Sequence, residues 1–405
     1  MSIIMRRERL FTKDFILDTA ISLCCSLNYF TLLINITGYA MLTFGATSTE
    51  AGLAAGIYVI GGLISRVTLG KYVEMVGRKK MLILGLSIAL IMSATYFFVS
   101  SMAVLYVIRF LHGTAYGISS TCTNDIVARI LPQSRRGEGL GYFLLSVTIA
   151  TAIGPFLGMG FGQDGNYTAV FTVGLVMYSV ALVLALFLKV PEETLTEEQK
   201  AEARSFDPKH LFQFSAVPLA ITCMVFYFAY SGVLSFISSY AEAIDLVEAA
   251  MYFYLAVAVG TLISRLTTGK IYDSRGPNIV MFPAYIAFFI GMLAFSQATS
   301  AIVLLCAGFI IGYGVSIVYA INQAIVVSKS PARRYGVTTS TFAAIVDLGS
   351  GLGPSVMGMI LAFAGYREMY LICAFISLIS LVMYWFIHGR RFGKEPGKSI
   401  TVLEE

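Results

Sequence analysis

Twelve long apolar runs, joined mostly by short polar turns, leave this chain few ways to fold. Runs of 19 residues or more fall near residues 15–44, 50–70, 81–99, 102–128, 138–162 and 168–188. Six more follow near 212–240, 249–269, 277–296, 299–328, 336–364 and 368–388. A helix needs about 20 mostly apolar residues to cross the hydrocarbon core of a bilayer, so each run is long enough to span it. Only 13% of the 405 residues are charged and 57% are hydrophobic, where a soluble domain carries about 25% charged residues. Disorder, a collagen-like fibre, a disulfide scaffold and a soluble multidomain enzyme are thereby excluded. The expected fold is an all-α integral membrane protein.

The basic residues orient it. An even number of spans puts both termini and the even-numbered turns on one face. That face holds Arg6, Arg7, Arg9 and Lys13, then Lys71 and Arg78 to Lys80, then Arg129, Arg135 and Arg136. Lys189, Lys200, Arg204 and Lys209 follow, then Lys270 and Arg275, then Lys329, Arg333 and Arg334, and finally Arg390, Arg391, Lys394 and Lys398. These are 24 of the 28 Lys and Arg residues; the opposite face has Arg367 alone, and Arg66, Arg109 and Arg265 lie within spans. Basic loops stay cytoplasmic, so a multi-pass protein of the cell membrane with both termini inside is expected. The basic start leads into a span too long for a signal-peptide core, with no small-residue cleavage site. The longest hydrophilic stretch divides the spans six and six. The expected organisation is an N-terminal six-helix bundle at 1–190, a cytoplasmic linker at 191–211, a C-terminal bundle at 212–390 and a cytoplasmic tail at 391–405.

The halves repeat at an offset of 199 residues. Ile64-Ser65-Arg66 recurs as Ile263-Ser264-Arg265, Gly70-Lys71 as Gly269-Lys270, and Gly77 as Gly276. Glu74 falls on Asp273, Pro132 on Pro331, and Gly154-Pro155 on Gly353-Pro354 without a gap. Polar and glycine landmarks kept over some ninety residues point to two homologous six-helix bundles, pseudo-symmetric about an axis along the membrane normal and enclosing a central cavity. The two Gly-Pro pairs are candidate helix hinges.

The most specific motif is the repeated turn, GKYVEMVGRKK (Gly70 to Lys80) and GKIYDSRGPN (Gly269 to Asn278). Its glycines allow close approach to a neighbour, its carboxylate suits a helix N-terminus, and Arg78 offers a planar fork for a second carboxylate. The candidate reading is a conformational latch made of Gly70, Glu74, Gly77, Arg78, Asp125, Gly269 and Asp273; the plainer one is a tight turn with basic anchors. This turn resembles the signature of the major facilitator superfamily between spans 2 and 3, with Glu74 and Met75 where that family usually has Asp and Arg. LYVIRFLHGTAYG resembles the span-4 motif of the drug:proton antiporter branch, carried by Arg109 and Gly113. Gly141, Ala150, Gly154-Pro155 and Gly158 resemble the antiporter motif of span 5, with Ala150 and Met159 in place of glycines. LPQSRRGEGLGYF and TSTFAAIVDLGSGLGP also look typical of bacterial efflux proteins of this branch. The resemblance covers nearly the whole chain. It implies alternating-access transport, a proton-handling role for Arg109, and a pair between Asp125 and Arg78. The i,i+4 spacing of Asp125 and Arg129 offers a local partner instead.

An ionisable group inside a span is costly enough to count as a functional candidate. Asp347 lies twelve residues past Tyr335, about 18 Å into the membrane at 1.5 Å per residue, beside the glycines of GSGLGP. Taking a carboxylate out of water favours its protonated form, which proton coupling requires; a structural carboxylate bonded to a neighbouring helix is the alternative. His112 shares a helix face with Arg109 at i+3, and either titrates or is satisfied by neighbours. Span 1 carries Asn28 and Asn35 at its middle and Asp18 near its cytoplasmic edge. The proton-coupling candidates are therefore Asp347, Arg109, His112 and Asp18. Substrate contact falls to Asn28, Tyr29, Asn35 and Tyr116 in the first half, and to Phe228, Tyr230, Phe236 and Asn322 in the second.

The six cysteines sit in apolar runs without CxxC or Cys/His spacing, so no metal or disulfide is expected. No phosphate loop or nucleophile motif appears, and neither an enzyme, a cofactor nor a nucleic-acid partner is expected. The partners expected are a small-molecule substrate, protons and the bilayer, with the chain acting as a monomer. Proton-coupled export of a small organic compound is the leading function. Proton-linked uptake of an organic acid, amino acid or sugar is the rival, and a non-transporting membrane sensor is the remote one.

Overall fold

The structure, a computed structural model, describes residues 9–69, 72–132, 136–162, 165–190, 212–330 and 335–390. Its long elements are twelve helices. They are α1 (Lys13–Phe44), α2 (Ser48–Leu69), α3 (Arg78–Thr95), α4 (Met102–Ile130), α5 (Arg136–Phe161) and α6 (Tyr167–Phe187), then α7 (Val217–Ala243), α8 (Val247–Arg275), α9 (Asn278–Ser296), α10 (Ala301–Ser328), α11 (Tyr335–Ala364) and α12 (Tyr366–Tyr384). A short helix, Tyr72–Val76, precedes α3. Eleven of the twelve are long and apolar enough to cross a membrane. The exception is α4, whose buried face carries Arg109 and His112 and whose last turns carry Asp125 and Arg129.

Local chemistry sets the helix ends, often twice over. Ser101 caps α4 by accepting from the Val104 amide at 3.4 Å, and Ser300 caps α10 by accepting from the Val303 amide at 3.5 Å. Both pairs stand 199 residues apart, as do Gly77 (φ 102°) and Gly276 (φ 81°). A left-handed backbone at these two turns explains the repeated glycine directly, because a Cβ is strained there. At α2, Thr47 and Glu50 form a reciprocal cap, with the Thr47 amide donating to Glu50 Oε2 at 2.8 Å.

The repeat also governs packing inside each half. A Cβ at Gly61 would run into the Phe110 carbonyl oxygen, and one at Gly260 into that of Phe309. Gly154 packs on Phe30 and Thr31 of α1, and Gly353 on Phe228 and Ser231 of α7. Pro155 and Pro354 lie inside α5 and α11, where each removes one backbone hydrogen bond. Beside the first of these prolines, the Gly154 carbonyl accepts from Thr31 Oγ1 at 3.0 Å. Small residues let helices approach closely where lipid supplies no hydrophobic drive between them.

The chain divides into two compact units, Met1–Asn35 with Gly61–Ser205 and Ile36–Ile60 with Phe206–Glu405. In the first, an apolar core joins Ile21 and Cys25 of α1 to Met81, Leu82 and Leu86 of α3, Cys122 and Ile126 of α4, and Tyr178 of α6. In the second, Ser48 Oγ donates to the Gly358 carbonyl at 2.6 Å, and aromatic rings fill the interior around Phe226, Tyr240, Phe288 and Tyr370.

Candidate functional site

The first polar cluster lies in the N-terminal half of α4. Arg109 and His112 are 1% and 0% exposed, one helical turn apart on one face. Between them comes Tyr96, on the short 3-10 extension of α3. Its hydroxyl accepts from Arg109 Nη1 at 3.5 Å and lies 3.2 Å from His112 Nδ1. A guanidinium only donates, so the Tyr96 oxygen accepts from Arg109; toward Nδ1 it donates or accepts according to the His112 tautomer. The ring of His112 also meets Tyr178 of α6 at 5.3 Å, and Tyr96 stacks on Phe171 at 5.0 Å. Tyr96 escapes sequence reasoning because it reads as one more aromatic at the end of an apolar run.

One turn deeper on α4, Tyr116 stacks on Tyr29 of α1 with centroids 5.3 Å apart and planes 13° from parallel. Both rings are half-buried. Asn28 is fully buried against Gly174 of α6, and neither of its amide atoms has a hydrogen-bond partner among the described residues. Asn35 is tied differently: its Nδ2 donates to the Thr31 carbonyl at 2.9 Å, and the amide fills the space beside Gly158 and Gly162.

The second cluster closes the other end of the first unit. Arg78, the first residue of α3, is 2% exposed, and its Nε donates to Asp125 Oδ2. Arg129 reaches the other oxygen of the same carboxylate at 3.5 Å. The two partners weighed from sequence are therefore both present, one on each oxygen. Gly70 lies outside the described residues, as do the side chains of Glu74 and Asp273; Gly269 is placed within α8. Asp18 of α1 is 0% exposed, and neither of its oxygens has a hydrogen-bond partner among the described residues.

The candidates of the second unit lie on three helices, α7, α10 and α11. Asp347 sits at the middle of α11, half-buried. Asn322 is fully buried and donates to the Val318 carbonyl at 2.9 Å. Tyr230 belongs to a ring cluster with Tyr227 and Phe288, Phe236 is fully buried, and Phe228 is half-buried beside Gly353. A cavity of about 380 Å³ is lined by Gly38, Met41, Leu42, Ser239, Glu242 and Tyr366, at the ends of α1 and α7 and the start of α12, and it includes none of these candidates. Sequence reasoning also passed over Lys329 and His388, whose Nζ and Nδ1 are 3.0 Å apart.

Twelve long helices with buried charge on the most polar of them define a polytopic membrane protein built for more than anchoring. The profile of the Major Facilitator Superfamily matches residues 19–354 and again 280–402, and the chain belongs to that superfamily. The staphylopine export protein of Staphylococcus aureus is 24% identical over 358 residues, covering 84% of this chain and 87% of that one. The multi-drug resistance efflux pump PmrA of Streptococcus pneumoniae is 22% identical over 345 residues, covering 82% and 86%. Among solved structures, a bacterial homologue of the human lysosomal transporter Spinster aligns with a TM-score of 0.78 at 15% identity, over 95% of this chain and 98% of that one. The nucleoside transporter NupG aligns with the same score at 13% identity, over 92% and 99%. The chain is thus a membrane transporter and not an enzyme.

Proposed function

We propose that the protein is a proton-coupled exporter of a small organic compound, working by alternating access as a monomer in the cell membrane with both termini cytoplasmic. The observation that carries the coupling is the Arg109–Tyr96–His112 cluster, a permanent cation and a titratable ring buried together in the first unit. Such groups are expensive in a membrane interior and are kept where charge must move. Export is supported by the printed activities of the relatives, one an exporter and one a multi-drug efflux pump. The stacked, half-buried pair of Tyr29 and Tyr116 offers a flat apolar surface for an amphipathic molecule. Asp347 serves as the titrating group of the second half, and the Arg78–Asp125 pair as a latch on the first.

The test is Asp347→Asn in the purified, reconstituted protein. It should keep substrate binding and passive exchange but lose accumulation driven by a proton gradient. Full proton-driven accumulation by this variant makes Asp347 structural, and accumulation in the opposite direction assigns uptake in place of export.

A further inference from the structure

Two arginines converge on Asp125, while a second carboxylate, Asp18, meets none among the described residues. Asp18 is wholly buried and neither oxygen meets a donor among the described residues. On α1, Ile21 and Cys25 lie one and two turns beyond it on the same face, in the core shared with Met81 and Leu82 of α3 and Cys122 and Ile126 of α4. Met81 and Leu82 are one turn from Arg78, and Cys122 and Ile126 flank Asp125, so helical spacing carries all three charged positions to one end of that core.

The titratable and charged groups described at this end of the helices that share the core come from four of them. They are Cys25 of α1, Arg78 of α3, Cys122, Asp125 and Arg129 of α4, and Tyr178 of α6. On its own helix Asp14, one turn back, already accepts from the Lys189 amide at 2.9 Å. From α5, among the described side chains, the Ser146 hydroxyl is turned to Ser22 at 3.3 Å. A wholly buried carboxylate with no donor among the described residues is tolerated in such a place as the neutral acid.

We propose that Asp18 is a proton site coupled to the latch: it holds a proton while Arg78 is bound to Asp125, and takes Arg78 when that proton leaves. The Asp18 O–H bond breaks, the proton passes to water at that end of the unit, and the carboxylate accepts the guanidinium hydrogens. Arg129 stays with Asp125, so each carboxylate then keeps one arginine and no charge is left unpaired. This rests on the proton-coupled reading above and names the residue through which a proton would reach the latch.

Infrared difference spectroscopy of the full chain in lipid, titrated with pH, tests it without any transport measurement. A carboxylic-acid carbonyl band should be present at neutral pH and lost in Asp18→Asn, which matches the neutral acid in shape and should fold. Asp125→Asn frees Arg78 and should abolish the same band at neutral pH. Arg78→Ala should make it persist to higher pH than in the unaltered chain, an independent reading should Asp125→Asn prove unstable. A spectrum unchanged by Asp18→Asn, or a band indifferent to both latch variants, overturns the proposal. Failure of proton-driven transport in vesicles is a separate result and bears on the coupled reading alone.

Discussion

Removing Arg78 puts a number on the latch. Breaking a buried ion pair costs about 3–5 kcal/mol, whereas exposed pairs contribute about 0.2–1 kcal/mol. Here the arginine side chain is 3% exposed and the Asp125 side chain 31%. Arg129 remains 3.5 Å from the other oxygen, its side chain 27% exposed. Partial screening and this second cation place the expected coupling of Arg78 with Asp125 between the two limits, at about 1–3 kcal/mol. Arg78→Ala, Asp125→Ala and the double variant form the cycle that isolates it. Five of the six free cysteines are buried, so a thiol-reactive dye reports thermal unfolding in detergent without added labels. Each single variant should lower the midpoint by several degrees, and the double variant by clearly less than the sum of the two. Arg129→Ala should cost less than Arg78→Ala. Strict additivity of Arg78→Ala and Asp125→Ala would refute the pair as an energetic unit.

Gly61→Ala and Gly260→Ala place the same methyl group against equivalent carbonyls, and each should destabilise by about 1–3 kcal/mol, to similar extents in the dye assay; a large difference would break the structural equivalence of the halves. Gly77→Ala meets a left-handed backbone and should cost about 1 kcal/mol, with Gly276→Ala alike. Tyr96→Phe leaves His112 Nδ1 without its hydroxyl partner and should lose about 1–3 kcal/mol together with most proton-driven transport; retention of both would make Tyr96 mere packing. In a chain with its exposed Cys306 replaced by serine, Asn166→Cys should react with an impermeant label from outside the cell and Glu197→Cys only after permeabilisation, the reverse pattern overturning the orientation.

Much of the fold was legible because lipid is a demanding solvent. Apolar runs near 168–188 and 277–296 become helices Tyr167–Phe187 and Asn278–Ser296, since an uninterrupted apolar stretch has no other way to satisfy its backbone in a bilayer. The 199-residue repeat was legible because Gly77 and Gly276 answer to backbone geometry, and Gly61 and Gly260 to close packing, neither of which tolerates drift. The run near 249–269 reads short because Lys270 and Asp273 look like a turn, yet α8 continues to Arg275; polar residues at a membrane edge do not end a helix. Side-chain partners were less legible. The spacing of Asp125 and Arg129 is visible in sequence, but that Arg78 takes the second oxygen depends on how α3 packs on α4. Tyr96 has no sequence signal, since nothing in YFF tells which ring turns inward to meet Arg109 and His112.

The most direct measurement is proton movement by the reconstituted, full-length protein in vesicles carrying an imposed proton gradient, tested over a panel of amphipathic and polar compounds. Proton-coupled export requires that at least one compound dissipate the gradient in a protein-dependent way while itself moving against the proton flux. The same compound should fail to do so with Asp347→Asn. Compound movement that ignores the proton gradient, or that runs in the same direction as the protons, would contradict it.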